Sequence, residues 1–376
     1  MHVAGDHALV VVADHLRASL RAGDLLARFG GDEFVALLTD VSTQEAAEVV
    51  DRLTDVRHLQ GPRLTLSVGW AVHGPALEDL LGRADAALYA AKAAGRGRAV
   101  AAPAGVAGSS QGLPAWGHLD HRQLSEAIDR DQLTLHFQPK VSASDGTVDG
   151  VEALVRWDHP QLGLRHPDSF LPQVEELGLM PALTDRVLQL ALDQLLAWDA
   201  GGLPGLSIAV NLSGSSLSDS TLPGRVIDAL EQRGLDGSRL VLEVTEQCLI
   251  EDRAHAGQVL DELRRHRVRI SLDDFGTGYS SLAYLRDLPI DELKLDRSFV
   301  FPMTDDARAA ALVVSTISLA HSLGLRMVAE GVEDASALAE LARHGCDEVQ
   351  GFHLSRPVPA LELELWLDAR QTAAAL

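Results

Sequence analysis

The chain has 376 residues, with 54 acidic against 32 basic side chains and a formal charge of −22. That length suits two or three domains of ~100–200 residues, and a balance of 46% hydrophobic to 23% charged residues excludes wholesale disorder. The acidity speaks against a general binder of nucleic-acid polymers or anionic membranes, which needs a basic face, and no apolar run approaches the ~18–20 residues of a membrane span.

Residues 6–21 carry a helical period, with Leu9, Val12, Leu16 and Leu20 along one stripe. Two apolar runs, Leu25–Phe29 and Phe34–Leu38, flank Gly30-Gly31, where positive φ is cheap; they predict an antiparallel hairpin. A helix over 44–58, a strand over 64–72 and a helix over 77–94 complete an α+β unit. Residues 101–116 are rich in Ala, Gly, Ser and Pro without apolar periodicity and read as a linker. Domains are therefore expected at 1–100 and 117–376, joined by 101–116.

The second unit alternates. Strand-like runs fall near 133–139, 148–157, 206–213, 240–246, 269–274, 292–296, 326–330 and 348–354. Helical patterns such as Leu183–Leu196, Val259–Arg267 and Leu312–Leu323 lie between them. This predicts an α/β fold: a (β/α)₈ TIM-like barrel or a close variant. An open doubly wound sheet is the alternative, without the Gly-rich fingerprint that would support it. Two cysteines, Cys248 and Cys346, give neither a disulfide framework nor a CxxC knuckle, and the start lacks a signal-peptide pattern. A reducing, cytoplasmic setting is expected. Only Lys92, Lys140 and Lys294 are lysines, so in so Arg-rich a chain a lysine reads as chosen for its chemistry, with a surface accident as the alternative.

In such barrels functional groups sit at the C-terminal ends of the strands. There the sequence places Glu152 and Arg156, Asn211, Glu243, Asp273-Asp274, Lys294, Glu330 and Gln350. Any one of these is an ordinary strand-end residue. Together, four carboxylates at one mouth would repel by roughly 4 kcal/mol per pair at ~4 Å and an effective dielectric of ~20. Without bound positive charge they would neutralise. Two divalent cations would balance Glu152, Glu243, Asp273 and Asp274. An all-oxygen ligand set favours Mg²⁺ or Mn²⁺ over Zn²⁺. Such a pair suits phosphodiester hydrolysis, with Lys294 beside the attacking water and the developing phosphate charge.

Glu152-Ala153-Leu154 followed by Val155-Arg156-Trp157 resembles the EAL domain, the cyclic di-GMP phosphodiesterase family. Companion motifs follow in order: Gln138-Pro139, Asn211-Leu212-Ser213, Glu243-Val244-Thr245-Glu246, Asp273-Asp274-Phe275-Gly276-Thr277-Gly278, Lys294-Leu295-Asp296, Glu330-Gly331-Val332-Glu333 and Gln350-Gly351-Phe352. The resemblance spans residues 118–370. It implies cleavage of cyclic di-GMP to linear pGpG with two Mg²⁺ or Mn²⁺ ions. It also implies Glu152, Asn211, Glu243, Asp273 and Asp274 as metal ligands, and Lys294 at the nucleophilic water. Glu330 and Gln350 become supports for water on the metals, and Gln138 and Arg156 substrate contacts. Glu246 would anchor the loop 274–285, which in relatives couples dimer packing to the site; a homodimer through the barrel is the corresponding expectation. A non-catalytic cyclic di-GMP receptor is the competing reading, and loss of a carboxylate or of Lys294 would have favoured it.

Gly30-Gly31-Asp32-Glu33-Phe34 resembles the signature hairpin of GGDEF domains, the diguanylate cyclase family. Gly5-Asp6, Ser67-Val68-Gly69 and Leu88-Tyr89-Ala90-Ala91-Lys92 agree with it. Asp32 and Glu33 are then candidate nucleotide-site residues, and Arg21 and Asp24 match the family's RxxD product-inhibition site. The family's opening helix, its strand with a metal-binding Asp and its guanine-contacting Asn have no counterpart before His2. Cyclase activity, and with it a bifunctional enzyme, is therefore not expected. The unit could be poorly folded, could bind GTP or cyclic di-GMP as a regulatory half-site, or could reflect a start placed too late. A sheet without that strand exposes backbone and core, so this unit is expected to be less stable than the barrel.

Overall fold

The computed structural model describes residues 2–21, 23–30, 33–54, 56, 65–72, 80, 83–84, 87–88, 91, 97–102, 119, 121–251, 253–276, 285–286 and 288–374. The chain divides into two compact units, Met1–Leu119 and Asp120–Leu376.

The first unit runs α1 (His2–Ser19), β1 (Leu25–Gly30), β2 (Glu33–Leu37), α2 (Thr43–Thr54), β3 (Val68–Trp70) and β4 (Ala99–Ala101). The hairpin read from the glycine step forms: β1 and β2 are antiparallel, with Leu26 opposite Ala36 and Arg28 opposite Phe34. Val12 and Leu16 of α1 bury against Val49 and Leu53 of α2, with Leu26, Phe34 and Leu38 of the hairpin region packed partly around them. His15 Nε2 reaches the Leu53 carbonyl at 3.0 Å and ties the two helices together. Strands β3 and β4 pair in parallel, and Ala102 N–H donates to the Trp70 carbonyl at 2.7 Å. Ala101 and Ala102 are thus held by this sheet edge rather than by a linker. Residues 103–116, much of the helix expected over 77–94, and Gly31, Asp32 and Lys92 lie outside the described residues.

The second unit opens with α3 (His121–Asp129), which buries Leu124, Ala127 and Ile128. Its strands are β5 (Leu133–Ser142), β6 (Val148–His159), β7 (Gly163–Arg165), β8 (Ser207–Leu212), β9 (Leu240–Thr245), β10 (Arg269–Phe275), β11 (Glu292–Leu295), β12 (Arg326–Ala329) and β13 (Glu348–Val349). Eight of them close into a barrel in the order β5-β6-β8-β9-β10-β11-β12-β13 and back to β5, with β7 an antiparallel hairpin on β6. Every neighbouring pair in the ring is parallel except those of β5, which runs against both β6 and β13. The cause is local. Only residues 143–147 join β5 to β6, a turn built on Gly146 at φ +76° and on Asp145 Oδ1 accepting from Thr147 N–H at 3.0 Å. So short a link permits a hairpin and forbids the crossover that a parallel pair requires. The reversal places Gln138 nearer the mouth than Lys140, because Gln138 pairs with Glu152 while Lys140 pairs with Gly150 deeper in the barrel.

Period-two alternation sends the other side chains of these strands outward onto the helices. Phe137 of β5 meets Trp198 edge-on at 4.9 Å, and Trp198 lies on α4 (Met180–Ala200), the long helix that also buries Leu188, Leu192 and Leu195. Part of the acidity serves as helix caps. Asp306 accepts from Arg308 N–H ahead of α5 (Ala307–Ser322), and Asp334 accepts from Ser336 and Ala337 N–H ahead of α6 (Ala335–Arg343). Among the described residues no helix is long and apolar enough to cross a membrane.

Candidate active site

Lys294, at the third position of β11, is the centre of the barrel mouth and is 1% exposed. Its Nζ lies 2.6 Å from Glu330 Oε1, 2.8 Å from Glu243 Oε2, 3.2 Å from Asp273 Oδ1 and 3.7 Å from Glu152 Oε2. Those partners come from β6, β9, β10 and the turn after β12. Burial alone would depress the Lys294 pKa, but the surrounding carboxylates override it and hold the pKa well above its ordinary value. The carboxylate ring thus favours the ammonium form of Lys294.

The remaining polar groups form a chain across the mouth. Asn211 Nδ2 donates to Glu152 Oε1 at 2.8 Å, and Gln350 Nε2 donates to Glu152 Oε2 at 2.6 Å and to Gln138 Oε1 at 2.9 Å. Gln138 Nε2 in turn donates to the Ser355 carbonyl at 2.9 Å. Arg156 is buried four residues beyond Glu152, on the same face of β6, and donates from Nη1 to the Val155 carbonyl. Gln350 Oε1 and Arg156 Nε are buried with no hydrogen-bond partner among the described residues. Unpaired buried polar atoms cost free energy, and here they mark acceptor and donor capacity left for something bound.

The array is short of positive charge. Burial pushes the carboxyls of Glu152, Asp273 and Asp274 above their usual range, and Glu330 is pushed up to about 8 by burial, with Asp273 and Glu152 adding to it. Glu243 goes the other way, to about 2: burial acts to raise it, but the ammoniums of Lys140 and Lys294 prevail.

Two successive carboxylates on one strand should point to opposite faces. Asp273 and Asp274 escape this because β10 carries an extra residue relative to β11. Leu272 is opposite Leu293, but Phe275 is opposite Leu295. At that bulge Asp274 adopts φ +56°, and its N–H donates to Asp273 Oδ1 at 2.9 Å. The left-handed backbone costs roughly 1–2 kcal/mol for most L-residues, and Asp is among those that tolerate it. The turn brings Asp274 under the influence of Lys294, Asp296, Arg297 and Glu152. Gly276 follows at φ +96°, where an added Cβ would meet the Phe299 ring at 2.7 Å. Glu246 is half-buried at the start of a short helix (Glu246–Glu251) that follows β9 directly; residues 277–284 of the loop it was expected to anchor lie outside the described residues.

Three groups beneath the mouth were not among the expected site residues. Lys140 Nζ donates to Glu243 Oε1 and to Glu292 Oε1, each at 2.8 Å, and Ser271 Oγ donates to Glu292 Oε1 at 2.9 Å. The signals available were the scarcity of lysine and the alternation Gln138, Lys140 along β5. Among the described residues no three carboxylate, imidazole or thiolate groups stand in a metal-chelating arrangement; the carboxylates are drawn onto the Lys294 ammonium instead. A cleft of about 470 Å³ opens elsewhere, at the N-terminal end of β10, lined by Asp261, Asp291 and arginines that include Arg264 and Arg267. Arg264, Arg265 and Arg267 pair there with Asp291, Glu262 and Asp236, and Arg269 Nε is buried without a hydrogen-bond partner among the described residues.

In the first unit, Arg21 and Asp24 close on each other. Arg21 Nε lies 3.2 Å from Asp24 Oδ1, Arg21 N–H donates to Asp24 Oδ2, and Nη2 donates to the Thr39 carbonyl. Asp32 and the Glu33 side chain lie outside the described residues.

A closed barrel with one reversed strand and a ring of carboxylates around a buried lysine is the architecture of a known group. The EAL domain family model matches residues 121–357, and the model for the diguanylate cyclase GGDEF domain matches residues 2–98. The chain belongs to the EAL family, with a GGDEF-type unit ahead of the barrel. It is 40% identical over 373 residues to the bifunctional diguanylate cyclase/cyclic di-GMP phosphodiesterase MucR of Pseudomonas aeruginosa, covering 96% of this chain and 54% of that protein. It is 36% identical over 375 residues to the cyclic di-GMP phosphodiesterase PdeR of Escherichia coli, covering 97% of this chain and 56% of that one. The chain thus spans about half the length of these curated relatives. Among solved structures, the PaMucR phosphodiesterase in complex with c-di-GMP matches at 45% identity and a TM-score of 0.61, over 64% of this chain and 98% of that one. An EAL domain protein from Listeria monocytogenes matches at 32% identity and a TM-score of 0.59, over 66% and 97%.

Proposed function

We propose that this chain is a metal-dependent phosphodiesterase that opens cyclic di-GMP to linear pGpG at the barrel mouth. The observation that carries the reading is the ring of Glu152, Glu243, Asp273 and Glu330 within 2.6–3.7 Å of one buried ammonium. Its likeness to the cyclic di-GMP phosphodiesterase PdeR and to the PaMucR phosphodiesterase in its c-di-GMP complex supports the choice of substrate.

The donor chemistry fits divalent cations. Glu152, Glu243, Asp273, Glu292 and Glu330 lie buried or half-buried around Lys140 and Lys294, with Asp274 exposed at the rim, so carboxylates outnumber the cations among them and leave room for bound positive charge. Glu152, Asn211, Glu243, Asp273 and Asp274 would hold the divalent ions, and all-oxygen donors favour Mg²⁺ or Mn²⁺. When bound, such ions supply an activated water and neutralise charge on the scissile phosphate.

The protein's own residues do the rest. Lys294 presents a positive charge to the phosphate oxygens as negative charge builds on them. Gln350 keeps Oε1 free to accept from a water, while its Nε2 fixes Glu152 in place. Glu330 sits opposite Glu243 on Lys294 and can share that water's proton. Arg156, with Nε unpaired, offers a donor to a phosphate or a guanine carbonyl at the rim. Asp273 and Asp274, placed side by side by the bulge, address one site from one strand.

We further propose that the first unit regulates the barrel, with GTP or cyclic di-GMP as its ligand, and that the barrel forms a homodimer contact in the cytoplasm. Incubation with cyclic di-GMP and Mn²⁺, with and without EDTA, tests the central reading. Release of pGpG that EDTA abolishes is expected; binding of the nucleotide without turnover would replace the enzyme with a receptor.

A further inference from the structure

Lys140 is one of three lysines in the chain and is 3% exposed on the reversed strand β5. Through it a single carboxylate is held at both oxygens: Glu243 Oε1 accepts from Lys140 and Oε2 from Lys294, each at 2.8 Å. The two lysines come from β5 and β11, which are not neighbours in the ring. Below them Lys140 also binds Glu292, whose Oε1 accepts from Ser271 Oγ as well. The chain Ser271–Glu292–Lys140–Glu243–Lys294 is therefore continuous through the barrel interior, and Ser271, Glu292 and Lys140 belong to none of the motifs that define the site.

The geometry points to Lys140 as the positioning residue for Glu243, fixing the plane of that carboxylate so that it faces the reaction site instead of folding wholly onto Lys294. A glutamate held at one oxygen still rotates about its last torsion, and ordering it costs conformational entropy when nothing pre-sets it. A second anchor on the opposite oxygen removes that freedom. Neutralising Glu292 would not need this geometry, since Lys140 on Glu292 alone would do so. The reversal of β5 is what makes the contact possible: it carries Lys140 one layer below Gln138, level with Gly150, where the facing position has no side chain to obstruct it.

This assignment rests on the phosphodiesterase reading, and its test separates the two. Wild type, Lys140→Met and the double variant Lys140→Met/Glu292→Gln are compared by melting temperature without metal, by the upward shift in melting temperature on adding MnCl₂ without nucleotide, and by kcat and KM for cyclic di-GMP. Lys140→Met should melt well below wild type, because buried Glu292 loses its lysine and Glu243 one of its two. The double variant, with the surplus charge removed, should recover most of that loss. Its kcat should nonetheless fall about 10–100-fold, as is typical when an outer support of a metal ligand is removed, with KM little changed and the MnCl₂ shift reduced. A double variant that regains its melting temperature together with wild-type kcat and a full MnCl₂ shift would overturn the assignment and leave Lys140 a mere counter-charge. A wild type that shifts with MnCl₂ but releases no pGpG would overturn the phosphodiesterase reading alone, since the shift still reports whether Lys140 sets Glu243.

Discussion

The two units use the same charged residue types for different ends. In the first, Arg21 and Asp24 pair across three residues, with side chains 52% and 2% exposed. In the barrel, Lys294 and Glu243 pair with side chains 1% and 0% exposed. A pair open to water on its arginine side is screened by solvent and worth about 1 kcal/mol or less. A buried array has no water to replace a lost partner, so each member fixes the others. Cores differ in the same sense. Among the described residues, the first unit's core is a cluster around Val12, Leu16, Val49 and Leu53, whereas the barrel interior and its helices bury residue after residue at 0–1% exposure, such as Ile208, Leu242, Leu260 and Leu293. Exposed charge decorates a fold; buried charge becomes part of its covalent-like framework.

That contrast can be broken at several points. The largest effect is expected at Glu152, which touches Asn211, Gln350 and Lys294 at once: Glu152→Ala should abolish pGpG release, and near-normal turnover would remove it from the site. Lys294→Met should lower kcat by about 10²–10³-fold, the usual loss for a charge-stabilising donor. A smaller loss measured under saturating substrate would mean that the ring works without its central cation.

Stability should divide along the same line. Leu293→Ala in the barrel should cost about 2–5 kcal/mol in denaturant unfolding, the usual range for a fully buried leucine. Val49→Ala, at 9% exposure in the smaller cluster, removes less and should cost less; an equal or larger cost would erase the distinction between the cores. Limited proteolysis should cut within residues 1–100 before it cuts the barrel, and the reverse order would sink the ranking. The smallest effect belongs to Arg21→Ala. Loss of this pair, whose arginine is open to water, should move stability by no more than about 1 kcal/mol, and a larger shift would show Arg21 to be a structural strut.

Much of the barrel was legible in the sequence because each strand is a short apolar run ending in a polar residue. All eight runs became strands, from Leu133–Ser142 to Glu348–Val349. The ring of Glu152, Glu243, Asp273, Lys294 and Glu330 was legible too, since one side-chain type recurs at strand ends. Three features were not. The direction of β5 depends on the brevity of residues 143–147, which apolar periodicity does not register. The shared site of Asp273 and Asp274 depends on a bulge, and alternation predicts that they diverge. Lys140 lies mid-strand, and attention to strand ends passes over it; only its rarity as a lysine hinted at a role. In the first unit the helix over 6–21 and the hairpin were legible for the same reason as the strands, and β4 was hidden because Ala99–Ala101 looks like the start of a small-residue linker.

The closure of the ring has a consequence for how the site comes into being. Strand β13 is two residues long, and it joins β5 through only two residue pairs, Val349 with Val141 and Glu348 with Ser142. Gln350 comes next, and its hydrogen bond to Gln138 links residues 212 positions apart. The last stave of the barrel and the last polar group of its mouth are thus set by the same stretch of chain. A polypeptide that has not shut this seam has no finished site, and the exchange rate of the Gln350 backbone amide, bonded to the Ala329 carbonyl at 2.9 Å, would report when the door is closed.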